Sequence, residues 1–335
     1  MNDNFPPANW PDRAVAFGAG LASALLFVVS TRGSSLAMAL AYFSPLPLMI
    51  AAAGFSFPAA LAGALAGAAL LVFAAQLPFG LGYFLGFAGP ALLLAALLQA
   101  PLRSSPLPSR DPPSPAPRFM TPGALLATII LLAIGVAGLG VVALVAHYHG
   151  FDATLTAILK RLGPALDELV ESLRPAAPDF DADKIKRLLV ISAPAGVAAS
   201  QTLLLSVNLW LAAKTIEISG RLRRPWPSLP ENLALPRLVA PAFLLAAGLA
   251  FKGGLIGVLS GAVAAATGFG LALHGLAALH GLTRDSRFRG AWLSGLYAAV
   301  LVLEPWSVVV LAVFGVIDSA FSLRARKARS TTVKI

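Results

Sequence analysis

Few residues in this sequence can do chemistry, and most of them stand inside apolar runs. Glu304 lies in the middle of the run 291–321 and is followed by Pro305 and Trp306. An ionisable group at the centre of a bilayer costs roughly 2.5–3.5 kcal/mol on insertion scales, so its presence asks for a reason. Two are open for Glu304. A broken helix could place its carboxylate and freed backbone near the membrane midplane, as transporters do. Alternatively, a short interfacial turn leaves Glu304 in water and anchors Trp306 at the headgroups. His274 shares a helical face with Thr267, Gly270 and Gly281, a small-residue face that suits helix packing or a ligand cavity. Gln201 and Asn208 are seven apart and so lie on one helix face. Interhelical hydrogen bonding is one role for that pair and a polar cavity lining is the other. Glu304, His274, Gln201 and Asn208 are therefore the candidate ligand-binding residues. Asp318, near the end of the last run, precedes Arg324 by six residues, and a contact between them would anchor the C-terminal tail as a structural tie.

Other chemistry is excluded by residue type. The chain has no cysteine, which removes disulfides, thiolate nucleophiles and Cys-ligated zinc or iron–sulfur clusters. Four histidines remain, and His147 with His149 at a run end lacks a third ligand in its neighbourhood, so no metal or cofactor is expected. The H-E-x-x-H, G-x-S-x-G and G-x-x-x-x-G-K-[ST] patterns are all missing. No residue is assigned a catalytic role, and the reading is non-enzymatic. An intramembrane lipid-modifying enzyme is the less favoured alternative, since no carboxylate pair stands within the runs. Without an ATP-binding loop, active transport would need a partner ATPase or an ion gradient.

The elements that position these residues follow from composition. Of 335 residues, 58% are apolar, 12% are charged, 30 are glycine, and mean hydropathy is +0.80. A soluble domain carries about twice that share of charge. The expected fold is an all-α, polytopic transmembrane bundle of about 8–10 helical segments. Apolar runs at 14–30, 36–53, 57–75 and 81–100 make an N-terminal membrane half of four spans over 1–100. Seven prolines within 101–121 favour extended conformations and mark that stretch as a linker. A C-terminal half follows over 122–321, with runs at 123–146, 188–213, 237–251, 255–282 and 291–321, and a basic tail occupies 322–335. Ser44-Pro45-Leu46-Pro47 interrupts the second run. Between 146 and 188 lies one extramembrane amphipathic helix, 152–174. Its Leu155, Ile158, Leu159, Leu162, Leu166, Leu169, Val170 and Leu173 recur at spacings of three and four. Gly163-Pro164 is expected to kink or divide it.

The formal charge of +10 is explained by topology rather than by nucleic acid. Assign the N-terminus, the linker, the 214–237 loop, the 284–289 turn and the tail to one side. That side then holds 17 basic and six acidic residues, against eight basic and seven acidic on the other, with Glu304 and Asp318 left over. Cytoplasmic loops collect Lys and Arg, so both termini are expected on the cytoplasmic side of the membrane. An even number of crossings then requires 291–321 to be a hairpin broken at Glu304-Pro305.

The segment Gly315-Val316-Ile317-Asp318-Ser319-Ala320-Phe321-Ser322-Leu323-Arg324 resembles the C-terminal signature of the YybS-like family of uncharacterised bacterial integral membrane proteins. In that family a Gly is followed three residues on by Asp, then an aromatic, an Asp and an Arg; Ser322 stands here for the second Asp. His274-Gly275-Leu276 sits where the family often has Gln-Gly-Leu. The chain is also distantly similar to the substrate-binding components of energy-coupling-factor transporters, which dock on a partner membrane subunit through small residues of an early helix. Such faces are present here as Ala14/Gly18/Ala22 and Ala16/Gly20/Ala24. These resemblances imply a small-ligand-binding, transporter-like component of the bilayer without its own ATPase, accompanied by a membrane or ATPase partner subunit. The alternative is a scaffold that recruits partners through helix 152–174 and the basic tail.

Overall fold

A computed structural model describes residues 9–29, 34–102, 118–173, 181–324 and 326–327. Most of the 101–121 linker and the end of the basic tail thus lie outside the described residues. The fold is an all-α polytopic bundle. Its elements are α1 (Trp10–Val29), α2 (Ser35–Tyr42), α3 (Pro45–Gly54), α4 (Phe57–Ala75), α5 (Leu77–Tyr83), a π-helical turn (Phe84–Ala88), α6 (Gly89–Gln99), α7 (Pro122–His147), α8 (Phe151–Leu173), α9 (Ala182–Ile218), α10 (Leu229–Asn232), α11 (Val239–Ala250), α12 (Gly254–Leu282), α13 (Arg289–Val302) and α14 (Trp306–Phe321). A two-residue antiparallel pairing joins Pro101 to Phe119 and Leu102 to Arg118, closing the ends of the linker together. Seven helical stretches among the described residues are long and apolar enough to span a membrane, and α11, α13 and α14 are shorter apolar helices. Phe73 and Leu301 are 89% and 82% exposed, a display of apolar surface that a bilayer solvates and water does not.

Proline chemistry explains the interruptions. The second span is broken between α2 and α3 because Pro45 and Pro47 cannot donate to the preceding turn. The Leu46 N–H then bonds the Phe43 carbonyl instead of that of Tyr42. In the fourth span the Gly89 N–H reaches back five residues to Phe84, one residue before Pro90 withdraws the next donor, and the register widens into a π-turn. By contrast, α8 runs without interruption through Gly163-Pro164, so the expected division there does not occur. α9 has 37 residues, about 55 Å at 1.5 Å per residue, and its charged first turns, with Lys184, Lys186 and Arg187, extend the helix beyond an apolar core.

The chain forms two compact units, Met1–Ile129 with Leu203–Leu235, and Ile130–Thr202 with Pro236–Ile335. In the first, α1 packs on α4 through small residues. A Cβ on Gly20 would overlap the Gly63 backbone, and one on Gly63 would overlap the Phe17 carbonyl. Ala16 and Ala24 are buried on this face, whereas Ala14 and Gly18 are exposed, so one of the two small-residue faces of α1 is consumed by packing within the unit. Fully buried Tyr83 donates to the Gly20 carbonyl at 3.3 Å, giving its hydroxyl the partner that burial demands. In the second unit α12 is the hub. Three of its glycines face three neighbours: added Cβ atoms would overlap Phe243 of α11 at Gly268, Ile130 of α7 at Gly270 and the Leu311 carbonyl of α14 at Gly275. Reciprocally, a Cβ on Gly315 would overlap the Leu271 carbonyl. Close backbone approach through small residues is how helices associate where lipid removes the hydrophobic drive.

Candidate functional site

The Gly275–Gly315 crossing brings His274 of α12 and Asp318 of α14 together. His274 Nε2 lies 2.9 Å from Asp318 Oδ2, and the two side chains are only 3% and 4% exposed. Ser322 takes a left-handed conformation and donates its N–H to the Asp318 carbonyl at 2.8 Å, ending α14. The turn carries Arg324 back over the carboxylate. Its Nε donates to Oδ2 at 3.0 Å, its Nη2 to the same oxygen at 2.9 Å, and its backbone N–H to Oδ1 at 3.4 Å. Arg324 Nη2 also lies 3.2 Å from His274 Nε2. One residue of α12, one of α14 and one of the segment beyond it are thus tied through a single carboxylate oxygen. Two residues further on than Arg326's neighbour Ala325, Lys327 donates to the Leu282 carbonyl at 2.8 Å and pairs with Asp285 at 2.9 Å. The Lys327 ammonium holds the exposed Asp285 carboxyl below its ordinary value, chiefly through that hydrogen bond.

With the ring proton on Nε2, His274 and Arg324 both donate to Asp318 Oδ2, and the 3.2 Å between His274 Nε2 and Arg324 Nη2 is the separation of two donors that share one acceptor.

The other candidates are placed elsewhere. Glu304 is exposed in the turn joining α13 and α14, away from the Asp318 carboxylate that His274 meets. The run 291–321 is accordingly two helices joined at Leu303–Pro305. Asn208 is 1% exposed. Its Nδ2 donates to the Leu204 carbonyl at 2.7 Å and to the Tyr42 carbonyl at 2.9 Å, the acceptor released by the break at Pro45. Its amide therefore repairs the interrupted second span. Gln201 is buried and belongs to the second unit, whereas Asn208 belongs to the first. His274, Asp318 and Arg324 are the members of the set that converge. Among the described residues, no group of three His, Asp or Glu side chains could hold a metal ion.

Sequence reasoning missed a second polar cluster, in the first unit. Gln99, 9% exposed, donates from Nε2 to the Ala53 and Arg221 carbonyls at 3.1 and 3.0 Å, and accepts the Arg223 N–H on Oε1 at 3.1 Å. Arg221 donates to Gly54 O at 3.1 Å and Asp12 Oδ1 at 3.2 Å, and lies 4.1 Å over the Phe55 ring. A cation on the last carbonyls of α3 is favoured by the helix dipole. Arg224 donates to Met120 O at 2.5 Å, and Glu217 Oε1 accepts the backbone N–H of Trp226 at 2.7 Å. The sequence signal for it is Gln99 at the end of an apolar run, ahead of the arginines of the 214–237 loop.

No protein-family model, curated protein or solved structure matches this chain. Its site is read from its own geometry.

Proposed function

We propose that the protein is a small-ligand-binding, transport-type component of a bacterial cytoplasmic membrane, of the YybS-like kind, with no ATPase of its own. The observation that supports this reading most is the His274–Asp318–Arg324 cluster. Ionisable groups within apolar helices are rare and mark ion or substrate pathways, and this one links two packed helices to the segment leaving the membrane. A proton or ligand that takes Asp318 from Arg324 would release the turn that follows α14. Orientation follows from charge: with each apolar helix crossing once, ten crossings put Asp12, Arg221, Arg287 and Arg324 on the basic, cytoplasmic side. α11, α13 and α14, of 12, 14 and 16 residues, cross at about 18–24 Å by thinning the bilayer locally.

The test is thermal melting of the purified protein against fractionated metabolites. A fraction that raises the melting temperature of the wild type and not of His274→Ala supports the reading. Absence of a shift with every fraction withdraws it. The scaffold reading is favoured by one feature: Leu162 and Leu169 of α8 are each 46% exposed, although Leu155, Leu166 and Val170 of the same helix are buried. A stable cross-linked partner that survives Arg324→Met and is lost on polar substitution of Leu162 and Leu169 would select it.

A further inference from the structure

We propose that the groove between the start of α11 and the end of α14 is a binding site for one anionic phospholipid. It has a volume of about 510 Å³, within the range of small-molecule sites. Arg237, just before α11, and Ser319 and Ser322, at the end of α14, line it together with Leu244, Val316 and Ala320. Arg237 is its one ionisable lining residue and no acid faces it, so the groove carries net positive charge. Neither the guanidinium nor the two hydroxyls makes a hydrogen bond or ion pair within the described residues. Three unpaired donors in an apolar trough match a phosphate that continues into an acyl chain. A free inorganic anion would use the donors and leave the apolar walls unused, and a zwitterionic lipid would bring its own cation towards Arg237. Basic pockets between transmembrane helices are a recurrent way of holding anionic headgroups.

The site has a consequence for the cluster next to it. Ser322 lines the groove and also caps the Asp318 carbonyl, so a headgroup on Ser322 and Ser319 steadies the turn that delivers Arg324. On the orientation proposed above the groove opens to the cytoplasmic leaflet, whereas binding itself does not rest on that orientation.

The experiment is native mass spectrometry of the detergent-purified full chain titrated separately with phosphatidylglycerol, phosphatidylethanolamine and free glycerol 3-phosphate. The wild type is expected to retain one phosphatidylglycerol in preference to phosphatidylethanolamine. Arg237→Gln is expected to weaken that binding about fivefold, the factor corresponding to the ~1 kcal/mol contributed by one basic group at a membrane surface. Arg237→Lys should keep most of it, and Arg287→Gln, on the α12–α13 turn, should change nothing. Ala320→Trp, which fills the groove and leaves Arg237 in place, provides a second variant should Arg237→Gln fold poorly, and is expected to abolish the retained lipid. Equal retention of both lipids, unchanged binding in Arg237→Gln and Ala320→Trp, or glycerol 3-phosphate binding as tightly as the lipid would each overturn the proposal.

Discussion

Replacing Arg324 by Met removes two of the three donors on Asp318 Oδ2 and leaves a carboxylate that is 4% exposed beside His274 and a 3.4 Å backbone N–H. Stripping one partner from a buried ion pair strands the other charge and costs about 3–5 kcal/mol. The lower end applies here, because the Arg324 side chain is 16% exposed and the cluster sits at a helix end within reach of water. Asp318→Asn strands instead an arginine that can turn outward, so its expected cost is smaller, about 1–2 kcal/mol. The combined His274→Leu, Asp318→Leu and Arg324→Met variant removes every charge and hydrogen-bonding group together and is expected to lie within about 1 kcal/mol of wild type, since apolar replacement of a whole buried ionic cluster is often neutral. The assay is reversible unfolding in mixed micelles by titration with SDS, followed by the fluorescence of the five tryptophans. The decisive outcome is an inversion in which three substitutions cost less than one. A single Arg324→Met variant as stable as wild type, or a triple variant at least as unstable as Arg324→Met, would refute the reasoning.

Three further predictions follow from packing and tethering. Gly275→Val drives a side chain into the Leu311 carbonyl and should lose about 3 kcal/mol by the same titration, whereas Gly248→Ala, where a Cβ meets nothing, should be neutral or gain about 0.5–1 kcal/mol from helix propensity. Gln99→Ala removes the amide that bonds the Ala53 and Arg221 carbonyls and the Arg223 N–H and should cost about 2 kcal/mol, with faster proteolysis of the 219–228 loop as the visible sign. Asp285→Asn should speed tryptic cleavage after Lys327 about two- to fivefold at pH 7.5, the modest effect of an exposed pair. Because the folded-state pKa of Asp285 is depressed, the pair stabilises above the ordinary carboxylate value near 4 and its effect is lost as pH falls through the depressed one. The difference in melting temperature between wild type and Asp285→Asn should therefore be present at pH 7 and shrink as the pH is lowered through the depressed carboxylate value.

The spans were legible because a bilayer imposes length and apolarity on every crossing, and the breaks at Pro45 and at Glu304-Pro305 were legible because proline removes a donor wherever it falls. At Pro164, where the sequence left a kink or a division open, the helix is not divided: α8 continues through it, with Leu155, Leu166 and Val170 buried on either side. The contact between Asp318 and Arg324 could be read from a spacing of six that crosses a helix end. Its third member could not, since 44 residues separate His274 from Asp318 and only the mutual fit of Gly275 and Gly315 makes them neighbours. Asn208 shows the same limit. Its polar side chain asked for a partner, but that partner is a carbonyl of Tyr42 freed by a proline on another helix. Glu304 drew attention by standing in an apolar run, and a turn removes it from that run.

The most direct test uses the absence of native cysteine, which allows single cysteines to be read without background. The proposed orientation puts Arg13, Ser228 and Arg287 on the cytoplasmic side and His149, Lys252 and Glu304 on the opposite side, with α14 returning Asp318 to the cytoplasmic end beside Arg324. Single cysteines at these six positions, labelled in spheroplasts with a membrane-impermeant maleimide, should react at 149, 252 and 304 and should react at 13, 228 and 287 only after lysis. Labelling of 287 and 304 from the same side would contradict the crossing of α13, and with it the arrangement that brings the His274–Asp318–Arg324 cluster to the inner face.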